Sequence, residues 1–324
     1  MALSETDLIK RYFSRCGAPR ADVLLGVGDD AALLQPPPDS QLVAAIDSLV
    51  EDVHFPAGSP PRSIGHRALA VNLSDLAAMG AQPAWALLAL ALPRADESWL
   101  ADFSAGLDAL ARGHGVALVG GDTTGGKLCV TVQILGFVPP GAALTRSGGR
   151  PGDAVFVSGT TGDSAAGLML EQSRLTVADA AQARWLLDRF RYPTPRVALG
   201  LALRGRASAC IDVSDGLLGD CGRLAEASGC GVVLDYEALA VSEALRAAVG
   251  EERARELALT GGEDYELCFS VPEADLAAFA AQCPAAQFGW RRIGVLTAQP
   301  GASIRRGGSV MQFSHRGFDH FAAG

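Results

Sequence analysis

The stretch VALVGGDTTGGKLCVTVQILGFV, residues 116–138, decides how the first half of the chain folds. Its middle, GDTTGGK from Gly121 to Lys127, matches the first seven positions of a P-loop. The eighth position is Leu128, where that motif needs Ser or Thr to hold magnesium. The residues after Leu128 are β-branched strand sequence, not the helix whose N-terminus would cradle phosphates. The stretch therefore reads as strand, turn, strand: Val116–Asp122, then Leu128–Val138. A nucleotide handled by this chain is handled another way.

Working outward, Ser4–Arg15 reads as a first helix and LVAAID (Leu42–Asp47) as a strand, with VHF (Val53–Phe55) beyond a turn. Arg62–Met79 is helical and stops at Gly80 and Pro83, and Glu97–His114 is a second long helix. ALLALALP (86–93) is strand or helix, since periodicity does not decide a short, wholly apolar run. RSGGRPGD (146–153), with three glycines and a proline, marks a domain boundary, giving domains 1–146 and 147–324. Beyond it, AVFVSG (154–159) and ACID (209–212) are strands, each leading into a helix, and GGEDYEL (261–267) is a loop entering a strand. Strands alternate with helices in both halves, so the expected class is mixed α/β in two domains.

Composition narrows the function. The 324 residues carry 27 basic and 36 acidic side chains, a net charge of −9, with 49% hydrophobic and 19% charged residues. This is too apolar for a disordered chain. An acidic balance also lacks the basic footprint of a general nucleic-acid binder. The only lysines are Lys10 and Lys127. Seven scattered cysteines without a C-x-x-C pair suit reduced thiols better than disulfides or a zinc site. The N-terminus MALSETDLIKRYF is not a signal peptide, and the longest apolar stretch, Ala84–Leu92, is far below the ~18 residues of a spanning helix. The expectation is a cytoplasmic protein with no membrane or nucleic-acid partner. The 38 glycines point to tight turns and close backbone approaches.

One pattern recurs: a short apolar run, often with glycine, then an aspartate at a strand end. It occurs as VGDD (Asp29, Asp30), AAID (Asp47), VGGD (Asp122) and ACIDVSD (Asp212, Asp215). Singly, each aspartate is a common turn former or cap, and Asp215 before a helix is most cheaply an N-cap. Together they sit where α/β sheets bind ligands. Asp75 is sharper. It shares a helix stripe with Ile64, Ala68 and Val71, while Leu69, Leu73 and Leu76 make a second apolar side. A carboxylate on a helix buried nearly all round needs a cation. An arginine would serve, but acidic strand ends nearby make a metal ion the better partner. All-oxygen ligands favour magnesium, manganese or calcium. Asp212-Val-Ser-Asp215-Gly is not an EF-hand, because the remaining oxygen positions and the terminal glutamate are missing. The dispersed set suits several magnesium ions shared with a phosphorylated substrate.

Eight motifs occur in order along the chain: VGDDAA (27–32), IDSLVEDVHF (46–55), NLSDLAAMGA (72–81), GGDTT (120–124), TRSGGRPGD (145–153), IDVSDGL (211–217), GGEDYEL (261–267) and GFDHF (317–321). Together, and over essentially the whole chain, they resemble the bacterial thiamine-monophosphate kinase family of the aminoimidazole ribonucleotide synthetase superfamily. The resemblance implies ATP-dependent phosphorylation of thiamine monophosphate to thiamine diphosphate. It also implies a homodimer whose N-terminal sheets pair into a barrel, with a second α/β domain alongside that completes the nucleotide and substrate site.

Carried onto this chain, the resemblance implies magnesium ligands at Asp30, Asp47, Asp75, Asp122, Asp212 and Asp215. ATP contacts fall on Gly121, Asp122, Arg146 and Ser214, and substrate contacts on His54, Glu263 and Phe318. No catalytic base is implied. Ala45 and Ile46 stand where the family often has a hydroxyl residue before the aspartate, which removes one side-chain ligand. Selenophosphate synthetase would want a lysine near a reactive N-terminal cysteine, and none follows Cys16 before Lys127. The hydrogenase-maturation member ends in cysteine, whereas this chain ends HFAAG. Aminoimidazole ribonucleotide synthetase is the enzymatic alternative, and a degenerate magnesium–nucleotide sensor the non-enzymatic one.

Overall fold

The computed structural model describes residues 4–312; Phe318 lies outside the described residues. The chain divides into two units. One holds the residues up to Leu76 with Ala81–Gly141, and the other holds Ala77–Gly80 with the chain from Ala142 onward. The RSGGRPGD segment belongs to the second unit. Its backbone is tied there: Cys210 N–H donates to Thr145 O, Gly149 N–H to Ser228 Oγ, and Ser228 Oγ to Arg146 O.

The first unit begins with α1 (Glu5–Tyr12), capped by the Ser4 hydroxyl accepting from Asp7 N–H. A two-stranded ribbon, β1 (Val23–Leu25) and β2 (Leu33–Leu34), comes next. Then come β3 (Gln41–Val50), α2 (Pro61–Ala78), β4 (Gln82–Leu92), α3 (Glu97–Gly113), β5 (Ala117–Gly125) and β6 (Cys129–Val138). The four long strands form one sheet in the order β3-β6-β4-β5. Only β4 and β5 run parallel, joined by α3 as a crossover. The ambiguous run 86–93 is therefore strand, because β4 is hydrogen-bonded on both sides.

Two expectations of aspartates at strand ends are corrected. Asp47 lies within β3, and Asp122 within β5. The strands continue because Ser48, Leu49 and Val50 keep pairing with β6, and Thr123 and Thr124 with β4. Register also separates the two carboxylates. Asp47 is in line with Val132, Leu88 and Gly121, whereas Asp122 is in line with Ala89 and Thr131. One residue out of step means opposite faces of the sheet. Asp47 is half-buried, on the same face as the fully buried Val132, and Asp122 is exposed.

Helix α2 is buried nearly all round, as its two apolar stripes require: Ile64, Ala68, Leu69, Val71, Leu73 and Leu76 are all inaccessible. Asp75 on it is half-buried. The helix meets α3 through reciprocal glycines. A Cβ on Gly65 would sit 2.1 Å from Phe103 O, and one on Gly106 would sit 2.0 Å from Arg62 O.

The second unit is built from β7 (Ala154–Ser158), α4 (Asp163–Glu171), α5 (Ala180–Arg191), α6 (Val197–Leu203), β8 (Ala209–Val213), α7 (Leu217–Ala227) and β9 (Gly231–Asp235). It continues with α8 (Glu243–Val249), α9 (Glu251–Thr260), β10 (Glu266–Val271), α10 (Leu276–Gln282), α11 (Ala285–Phe288), β11 (Trp290–Thr297), β12 (Gly301–Arg306) and β13 (Ser309–Gln312). Seven strands make one sheet, β13-β12-β9-β11-β7-β10-β8, with β9 and β12 the parallel pair. Strand alternation sorts its faces. Val155 and Val157 join Leu217, Cys221 and Leu224 in one core. On the other face, Phe156 stacks on Phe269 at 5.4 Å and meets the Trp290 edge at 5.2 Å.

The α2–α3 crossing yields a test. Gly106→Ala must push α3 off the Arg62 carbonyl, an overpacking cost of about 1–3 kcal/mol. Gly113→Ala, in open space on the same helix, is the control. Thermal melts should show a loss of several degrees for the first and none for the second. Equal melting temperatures would refute the close-packed crossing.

Candidate functional site

In the first unit a cavity of about 950 Å³ opens between α1, the Val27–Ala32 loop and strands β4 and β5. Asp30, Gly121 and Asp122 line it together, brought there from the VGDDAA and GGDTT motifs. Ile9 and Phe13 of α1 with Leu34, Leu87 and Leu118 form an apolar wall, and Lys10 supplies a positive charge. Two glycines in its lining have positive φ, Gly28 at +126° and Gly121 at +146°. A Cβ on Gly121 would fall 1.9 Å from Leu88 O, so β5 can pass this close to β4 only with glycine there. Asp47, His54 and Asp75 are outside this lining. His54 braces the turn after β3: its ring Nδ1 accepts from Val50 N–H, and its backbone N–H donates to Val50 O. A neutral ring with its proton on Nε2 satisfies that geometry.

The three carboxylates lining the cavity, Asp29, Asp30 and Asp122, are exposed. They offer hard oxygen donors beside side-chain-free backbone, with room for waters and phosphate oxygens, and this donor set suits magnesium. Among the described residues no group of three or more His, Cys, Asp or Glu side chains is placed to hold a metal ion.

In the second unit the IDVSDGL and GGEDYEL motifs interlock. Glu263 N–H donates to Ser214 O at 2.7 Å and Tyr265 N–H to Val213 O at 2.8 Å. Glu263 and Tyr265 both adopt positive φ, +73° and +53°, and Tyr265 Oη donates to Glu263 Oε2. Two non-glycine residues in this region are strained, a condition that the surrounding bonds must impose. Asp212 is buried on β8. Asp215 is not the expected N-cap. Gly216 holds that position without a side-chain bond, and Asp215 Oδ2 instead pairs with Arg223 at 2.6 Å. Arg146 is exposed on the segment after Ala142.

Four buried acids, Asp264 in the GGED loop, Asp163 and Asp220 in the first turns of α4 and α7, and Glu266 on β10, were not singled out from the sequence, because the distant groups that satisfy them leave no mark on their local sequence. Asp264 accepts from Gly162 N–H and Ser164 N–H. Burial pushes its carboxyl up to about 8, against the pull of Arg189 and those amides. Burial would also raise Glu266, but bidentate Arg196, with Arg189, holds it below the usual carboxylate range. Asp163 accepts from Thr160, Trp185 and Ser242. Asp220, 1% exposed, accepts from Ser214 N–H and Asp215 N–H, and burial pushes it up to about 7.

A raised pKa has a defined sign in stability. Asp264 keeps its proton in the fold up to about pH 8, while the unfolded chain loses it near pH 4. Its contribution therefore declines as pH rises through that window. Melting temperatures of the parent and Asp264→Asn, measured from pH 5 to 8, should converge or cross as the parent falls more steeply. Parallel curves would contradict the assignment.

Comparison with known proteins also finds two domains along the chain. Residues 28–138 match the N-terminal domain of the AIR synthase related protein family, and residues 150–307 match its C-terminal domain. The thiamine-monophosphate kinase of Salmonella typhimurium is 48% identical over 323 residues, 99% of each chain. The crystal structure of thiamine-monophosphate kinase from Stenotrophomonas maltophilia is 46% identical, with a TM-score of 0.83 over 90% of this chain and 92% of that one. A structure of AaThiL complexed with AMPPCP and TMP is 32% identical, with a TM-score of 0.77 over 91% and 92%. With near-complete coverage at such identity, this chain belongs to the AIR synthase related proteins and, within them, to the thiamine-monophosphate kinases.

Proposed function

We propose that this chain transfers the γ-phosphoryl group of ATP to thiamine monophosphate, giving thiamine diphosphate and ADP. The carrying observation is the cavity where Asp30 and Asp122 flank side-chain-free Gly121, in a chain 48% identical over its length to a kinase of that name. The relative complexed with AMPPCP and TMP supports the same pair of substrates.

The attacking atom is a phosphate oxygen of thiamine monophosphate. Its second pKa near 6 leaves it largely dianionic at neutral pH, so no general base is required of the protein. That oxygen bonds to the γ-phosphorus in line as the bond to the β–γ bridging oxygen breaks, and ADP leaves. In the first unit, Asp30, Asp47, Asp75 and Asp122 are the proposed magnesium ligands, with Gly121 and Asp122 meeting ATP. His54 there meets substrate. In the second unit, Asp212 and Asp215 are magnesium ligands, Ser214 and Arg146 meet ATP, and Glu263 meets substrate. Bound magnesium supplies charge neutralisation between two anions. The protein supplies position, and Arg146 is suited to a phosphate because guanidinium binds two of its oxygens at once.

The homodimer belongs to this proposal. Leu42 and Ile46 are 53% and 63% exposed on one face of β3, and Leu24, Leu25 and Leu33 are exposed on the β1–β2 ribbon. An aliphatic strand face of this kind suits pairing with a second copy. The cytoplasm is the proposed compartment, in keeping with seven free cysteines. No described helix is long and apolar enough to cross a membrane.

ADP release is to be followed with thiamine monophosphate, thiamine and formylglycinamidine ribotide as acceptors. Thiamine diphosphate should form from the first alone, and its absence would overturn the proposal. Asp122→Asn should lower kcat by about 10²–10³, the scale of losing one transition-state electrostatic group. Asp75→Asn should abolish turnover while sedimentation still shows a dimer. Near-parental activity in either variant would remove that residue from the ligand set.

A further inference from the structure

Behind the Ser214–Asp215 loop lies a carboxylate for which the reaction as proposed has no use. Asp220, in the first turn of α7, is inaccessible, yet its Oδ2 takes two backbone amides, Ser214 N–H at 3.1 Å and Asp215 N–H at 3.0 Å. Its other oxygen, Oδ1, accepts from Arg223 at 2.5 Å, and the same Arg223 nitrogen reaches Asp215 Oδ2 at 2.6 Å. One buried acid thus holds the loop backbone from behind and, through a half-exposed arginine, holds the loop's own carboxylate from the front. The loop's chain direction is also fixed by Ser214 O, which accepts from Glu263 N–H.

We propose that Asp220 is a positioning residue: by chelating the two amides it sets the direction in which Ser214 and Asp215 face their ligands, while Arg223 parks the Asp215 carboxylate and competes with a divalent cation for it. The proposal rests on the reading of Asp215 as a magnesium ligand. A buried carboxylate is expensive unless hydrogen-bonded, and here it is the acceptor without which the Ser214 and Asp215 amides would be orphaned. Its presence therefore has a purpose beyond packing: orphan amides that would otherwise be free to turn are pinned to one orientation. Arg223 acts in the opposite sense on the cation. A guanidinium on Asp215 lowers the negative potential that a divalent ion would feel.

The two residues make opposite predictions, which a merely structural role does not. Manganese binding is to be measured on the full chain by electron paramagnetic resonance, without nucleotide, at one pH. Asp220→Leu, which leaves both amides without an acceptor, should weaken manganese binding at least about tenfold, the effect of one charge-linked hydrogen-bond set. It should also raise the KM for magnesium–ATP more than it lowers kcat. Asp220→Asn, which keeps one oxygen for the amides, should restore both to within about threefold. Arg223→Gln should tighten manganese binding about threefold to tenfold.

Asp215→Asn separates the two layers of the argument. If it leaves manganese binding unchanged, the reading of Asp215 fails. If it weakens binding while Asp220→Leu, folded by circular dichroism, does not, the positioning role fails and the reading stands. Should Asp220→Leu not fold, weaker or unchanged manganese binding in the surface variant Arg223→Gln overturns the proposal by itself.

Discussion

A carboxylate cannot be buried without a partner, and the second unit is arranged around that constraint. Glu266 on the interior strand β10 is inaccessible and held by two arginines and the Ser158 hydroxyl. Asp264 and Asp220 are inaccessible and held by pairs of backbone amides. Each of these acids fastens one segment to another: β10 to the helices carrying Arg189 and Arg196, the GGED loop to the start of α4, and the SD loop to α7. Removing an acceptor of this kind leaves donors unsatisfied in a low-dielectric interior, which is why such networks specify one geometry.

Two candidate ligands of the first unit are held differently. Asp30 and Asp122 are exposed at a cavity, and what fixes them is backbone rather than counter-charge. Gly121 lets β5 lie against the Leu88 carbonyl, and that approach sets where Asp122 emerges. The acids of the chain therefore divide by environment. Glu266, Asp264 and Asp220, buried and satisfied by arginine or amide, build the scaffold, while Asp30 and Asp122, facing open space, suit a cation and a phosphate; Asp215, shared with Arg223, stands between the two kinds. An overall charge of −9 does not reveal this division, because it counts both kinds alike.

Strain obeys the same logic. Glu263 and Tyr265, with positive φ on either side of Asp264, stay in that conformation because three sets of bonds fix the loop: to Ser214, to Val213 and to the α4 amides. The loop has little freedom to relax, and a rigid loop loses little entropy when a ligand arrives.

Much of this protein is legible in the chain itself. The failed P-loop reads as strand, turn, strand, because Leu128 and the β-branched residues after it cannot begin a helix. The apolar stripes of α2 and the glycine-flanked aspartates are local patterns, and local patterns arise from side-chain period and backbone freedom. Tertiary structure decided the remainder. Pairing on both sides made 86–93 a strand and carried β3 and β5 past Asp47 and Asp122, setting those acids on opposite faces of one sheet. Arg223, a turn and more into α7, took Asp215 away from the capping role its position suggested. Asp163, Asp220, Asp264 and Glu266 were silent in sequence because their roles depend on amides, hydroxyls and arginines distant along the chain or hidden behind a turn. Local sequence determines which backbone shapes are available, while partners for buried charge are settled only when distant segments meet.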